Sequence, residues 1–178
     1  MRKTFLFIMI AGLLAACNND SKVAGAAETK DAKPAVPLAY TPAYSSSFEI
    51  GNPAYAAMIV QGSWKDWENN SMDNMKSWVA DTILAFQSDN AMVKGVDSLQ
   101  ARWKRDRARY TSVVDTIDAV MAVYSTDKKE NWVLVWARDF STDNTGKADT
   151  IAIMETWRIN KDGKADMLLQ YDRHTRKK

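Results

Sequence analysis

Apolar and polar residues alternate with a period of two from Val113 onward, whereas upstream they recur every three to four positions. Period two predicts strands, and Val113–Tyr124, Trp132–Phe140, Thr150–Ile159 and Ala165–Arg173 each fit it. The connections DKKEN, STDNTGK and NKDG are polar and turn-forming, so three hairpins in a row make an antiparallel meander. Upstream, Asn52-Pro53 marks a helix start, with Asn as N-cap and Pro where a missing N–H is harmless. That helix runs to about Asn69, with Ala56, Ile59, Val60, Ser63 and Trp67 on one stripe. Ser71 is expected to cap a shorter helix with Met72, Met75 and Trp78 inward. Thr82–Ser88 reads as a first strand and Met92-Val93 as a very short second one. Asp97 then caps a third helix, with Gln100 as capping-box partner and Leu99, Trp103 and Tyr110 facing in. Arg102, Lys104, Arg105, Arg107 and Arg109 surround that face as a solvated basic rim. The order predicts an α+β fold, with three N-terminal helices packed on one face of a mostly antiparallel sheet.

The N-terminus follows a different rule. Arg2 and Lys3 precede an uncharged apolar run, FLFIMIAGLL, which is shorter than the roughly 20 residues of a membrane span. Such a segment reads as a secretory signal and is set aside from fold reasoning. Leu14-Ala15-Ala16-Cys17 resembles the bacterial lipoprotein signal. That resemblance implies cleavage after residue 16, a lipid on Cys17, and a protein held at a membrane of the cell envelope, with inner and outer membrane both open. Residues 17–47 carry Ala, Lys, Pro and Ser without apolar period and read as a tether. Tyr40 and Tyr44 are assigned to that tether, and the domain proper is placed at 48–178.

Charge and composition narrow the function. Of 24 basic residues against 22 acidic, Arg2 and Lys3 account for the whole excess. The exported part is neutral and lacks the basic footprint of a nucleic-acid binder. Cys17 is the only cysteine and His174 the only histidine, so no disulfide, thiol nucleophile or His/Cys metal site is expected. No phosphate loop, nucleophile elbow or His pair at metal spacing occurs, and no cofactor is expected. Asp115 and Asp118 fall on opposite faces of one strand, which speaks against a shared metal. Seven Trp supply large apolar area, first of all as core.

Three segments taken together are similar to the nuclear transport factor 2-like superfamily, which includes SnoaL-like cyclases and ketosteroid isomerases. They are WKDWENNSMDNMKSWVADTILAF, MVKGVDSLQARW and METWRINKDGKADMLLQYDR, and the resemblance covers about residues 50 to 173. It implies a cone, with a curved sheet wrapped over helices around an apolar pocket. In the isomerases a strand carboxylate acts as base, and a helix Tyr and a later acid serve as oxyanion donors. By resemblance the base position falls on Gln87, or on Asp89 with a two-residue slip, the Tyr position on Ser63 and the acid on Glu155. Gln cannot take a proton from carbon and Ser is the weaker donor, which speaks against isomerase chemistry. Family members often pair through the outer sheet face, so a homodimer is a further expectation.

Glu155 is the sharpest single residue. It shares parity with Ile151, Ile153, Trp157 and Ile159, so a carboxyl faces the same way as four apolar groups. Desolvation there would raise its pKa and let it donate to a ligand carbonyl. The structural alternative is a Glu paired with Arg138 or Arg158. The candidate ligand-binding set is Glu155, Ser63, Gln87, Trp67, Trp103 and Trp157. The expected role is binding of a small apolar ligand or a protein partner without catalysis. A SnoaL-like or isomerase-like enzyme using Glu155 and a structural homodimer are the alternatives.

Overall fold

The computed structural model describes residues 37–174. The signal segment, Cys17, most of the tether and the last four residues lie outside them. The chain divides into two compact units after Ala39, and the second, from Tyr40, carries the fold. Its elements are β1 (Phe48–Ile50), α1 (Pro53–Ile59), a π-helical segment (Val60–Lys65), α2 (Asp66–Glu68), a 3-10 turn (Met72–Asn74) and α3 (Met75–Trp78). Next come β2 (Val79–Phe86), β3 (Met92–Lys94), α4 (Val96–Arg107), β4 (Tyr110–Ser125), β5 (Glu130–Asp143), β6 (Ala148–Ile159) and β7 (Ala165–His174).

The α+β fold and the meander are as the periodicity predicts. The seven strands lie in the order β1-β4-β5-β6-β7-β2-β3, all neighbours antiparallel except β2 and β7. The helices are not gathered ahead of the sheet, because three strands precede α4. Alternation puts Val133, Val135, Trp157 and Leu168 on the inner face, fully buried under Ile59, Met72, Met75 and Leu99 of the helical elements. Burying one such side chain contributes on the order of 1.5–3 kcal/mol, so this layer supplies much of the stability.

Local chemistry agrees with the sequence at α1, where Asn52 Oδ1 accepts from Ala54 N at 3.0 Å and Pro53 opens the helix. It differs at the other two helix starts. Ser71 makes no cap bond, and its hydroxyl donates to the Asp66 backbone carbonyl. Gly95, with φ +85, precedes α4 in place of an Asp97 cap. Gln100 reaches across to donate to Met72 O at 2.7 Å, tying α4 to the preceding helical turn instead of boxing its own start. The basic rim is also less solvated than its charge suggests. Arg107 is buried, with bonds to the carbonyls of Trp67 (2.8 Å), Glu68 (3.1 Å) and Tyr110 (2.9 Å). It ties the last carbonyls of α2 to the start of β4.

Two further differences lie at the edges. The strand expected first, over Thr82–Ser88, is β2 and runs Val79–Phe86. Tyr44, expected in the tether, packs edge-on against Trp132 at 5.5 Å, and Ser45 and Ser46 bond to Asp127. Those contacts hold the short edge strand β1 against β4.

Candidate functional site

Inside the cone lies a cavity of about 250 Å³ between the helices and strands β5, β6 and β7. Its floor is Glu155. Antiparallel register sets Gln170 of β7 directly opposite Glu155, and Trp157 follows two residues on with the same parity. The Glu155 carboxyl is 2% exposed, with Oε1 accepting from Gln170 Nε2 at 3.0 Å. Oε2 accepts from Trp157 Nε1 at 2.9 Å and from Ser63 Oγ at 3.1 Å. Burial pushes this carboxyl above the usual range, opposed by the same three donors. The Trp64 indole N–H lies near it and favours the charged form without meeting hydrogen-bond geometry.

Ser63 reaches the floor because its helix is locally π-wound. Gly62 makes this approach feasible, since a Cβ there would overlap the Trp78 indole. Trp78 in turn meets Trp157 edge-on at 5.5 Å, beneath the floor. π-turns recur at functional sites because they re-aim one or two side chains.

Trp64, Trp67 and Trp103 form one wall and Ile151 and Ile153 another. Trp67 and Trp103 stand edge-to-face at 6.3 Å. Trp67 Nε1 donates to Asp139 Oδ2 at 3.2 Å, which fixes the Asp139 carboxyl at the cavity surface. Asp139 is 6% exposed, and its Oδ1 has no hydrogen-bond partner. Across the ladder from it stands Asp115, whose two oxygens are likewise buried and unpartnered. The Asp115 N–H is turned to Glu68 Oε2, 3.5 Å away and off the ladder. Burial first, then the charges of Asp139, Glu68 and Glu155, push the Asp115 carboxyl up to about 8. Gln87, at the far side, is 8% exposed and its Nε2 is also without a partner.

The rim carries charge that is already matched. Arg102 pairs with Asp89 at 2.6 Å and with Asp106 at 3.4 Å, and Arg109 pairs with Asp106 at 3.5 Å. The Arg102 guanidinium holds the Asp89 carboxyl below its ordinary range. Tyr110 lines the same side, its hydroxyl pushed up by burial and by the Asp139 charge.

Of the six ligand-binding candidates, Glu155, Ser63, Gln87, Trp67 and Trp103 line the cavity. Trp157 lies beneath it, fully buried, as a donor to Glu155. Neither arginine considered for Glu155 pairs with it, since Arg138 binds Asp118 and Arg158 binds Asp166. Ser63 gives its proton to Glu155, which removes it as a ready donor to a ligand. Asp139 is the residue the sequence reading missed. It shares inward parity with Val133, Val135 and Ala137, the same signal that singled out Glu155. Among the described residues no group of three or more acids, His or Cys is placed to hold a metal ion.

Three solved structures with this architecture span different activities. An LEH-like epoxide hydrolase from Mycobacterium tuberculosis aligns with TM-score 0.55 and 13% identity over 67% of this chain and 84% of its own. A putative SnoaL-like polyketide cyclase from Jannaschia aligns with TM-score 0.54 and 12% identity over 67% and 83%. A Δ5-3-ketosteroid isomerase from a Mycobacterium aligns with TM-score 0.53 and 16% identity over 68% and 98%. No protein-family model and no curated protein sequence matches the chain. At these identities the likeness is one of architecture: the chain has the nuclear transport factor 2-like fold shared by SnoaL-like cyclases and ketosteroid isomerases.

Proposed function

We propose that the cavity is a binding site for one small, mainly apolar molecule whose polar group is held by Asp139. The supporting observation is the unpartnered Oδ1 of a carboxyl that is nine-tenths buried and lines an aromatic-walled cavity. A buried polar atom without a partner costs about 1–3 kcal/mol, and a bound ligand is the means of recovering it. At about 250 Å³ the cavity is near the lower limit of ordinary ligand pockets, so the ligand is small. Structural neighbours described as an epoxide hydrolase, a cyclase and an isomerase support small-molecule chemistry in such a pocket. Glu155 serves as the floor that ties helix to sheet, because both its oxygens already accept bonds.

Catalysis is the second reading, favoured by one feature. Asp115, raised to about 8, stands across the ladder from Asp139, and an acid that keeps its proton at neutral pH can donate it. The N-terminal signal and Cys17 support a further proposal, that this pocket is displayed at an envelope membrane on a lipid anchor.

Titration of the full chain with 2-phenylethanol, excited at the tryptophans, tests occupancy. A saturable change that weakens in Trp67→Phe is expected. A flat response from this alcohol, from its amine and carboxylate counterparts and from the uncharged dye Nile red would overturn the binding reading.

A further inference from the structure

Positive charge is unevenly supplied around the cavity. Both arginines that line it are engaged at the rim by Asp89 and Asp106. Asp139 and Glu155 line it as well, and neither makes an ion pair among the described residues. Asp115 adds a third carboxyl behind Asp139, again without a cation. Buried carboxylates are ordinarily paired, since removing them from water is expensive. Glu155 meets that need with three neutral donors, whereas Asp139 has one donor and an open oxygen. The cavity wall that Asp139 shares is aromatic: Trp67, whose N–H it accepts, and Trp103, with Trp64 and Tyr110 also lining it. A carboxyl without a cation, in an aromatic-lined cavity, favours a cation over an anion.

A separate observation points to a ligand in the same place. Gln87 Nε2, 8% exposed and unpartnered, lines the opposite side of the cavity. It offers a donor to a hydroxyl or carbonyl at the other end of whatever occupies the space.

We propose that the ligand of this site is an organic amine, bound as its ammonium with N–H donated to the Asp139 carboxyl and its apolar body against Trp67 and Trp103. This rests on the binding reading above and names the chemistry of the ligand. A carboxylate of the same shape meets Asp139 with like charge. An alcohol of the same shape fills the space but leaves the carboxylate charge unmatched.

The test compares 2-phenylethylammonium, 2-phenylethanol and 3-phenylpropanoate by tryptophan fluorescence of the full chain at pH 7. The amine is expected to bind at least about tenfold tighter than the alcohol, and the carboxylate weakest. Asp139→Asn should erase the amine's advantage over the alcohol. Equal binding of amine and alcohol, or tighter binding of the carboxylate, overturns the amine proposal and leaves the binding site standing. Absence of binding by all three and by Nile red overturns both. The comparison on the unaltered protein decides the matter even if Asp139→Asn fails to fold.

Discussion

At the scale of single residues, the buried acids set different demands. The Asp115 carboxyl is raised to about 8, so the folded state holds its proton more tightly than the unfolded chain does. Its contribution is fully present below the unfolded value of about 4 and drains away as pH rises through 8. Asp115→Asn keeps the shape and removes the ionisation, so it should raise the melting temperature more at pH 9 than at pH 5. An equal gain at both pH values would show that Asp115 is not the titrating group. Glu155 makes a different demand, since its removal strands three donors. Glu155→Ala should lower unfolding free energy by ~3 kcal/mol or more in urea titrations, and Glu155→Gln by less. Inward parity made Glu155 legible in the sequence, and Asp139 was legible by the same rule. Their partners were not. Whether Ser63 or Arg158 meets Glu155 depends on helix winding and strand register, which local spacing does not encode.

At the scale of elements, the π-wound segment between α1 and α2 decides how the helix meets the sheet. Its Gly62 lies against the Trp78 ring with no room for a methyl group. Gly62→Ala should therefore destabilise the domain by about 1–3 kcal/mol in thermal unfolding followed by circular dichroism, although alanine is intrinsically the better helix former. Stabilisation would mean that Trp78 can move aside. The amphipathic stripe from Ala56 to Trp67 identified the helix, but a one-residue change of winding leaves that stripe nearly intact and so escapes detection. Strand β4 presents the same difficulty. Its length was legible from alternation, whereas the irregularities near Thr111 and Asp118 fix which residues of β5 it faces. Without them the Asp115–Asp139 pairing could not be read. β1 is three exposed residues with no pattern of its own, and it exists because β4 offers an edge.

At the scale of the whole molecule, the meander was readable because each hairpin is local, and the closure of the sheet was not because it is long-range. Strands β2 and β3 reach the rest of the sheet through β7, the last of the described strands. A chain ending at Gly163 lacks that bridge and should show no cooperative thermal transition, whereas one ending at His174 should unfold cooperatively. The parallel pairing sets Phe86 beside Leu169. Contacts of such sequence separation form slowly, because a long loop must close before they contribute. During synthesis β2 and β3 therefore emerge with no sheet to join, and the edge of β2 that pairs with β7 stays open until β7 follows.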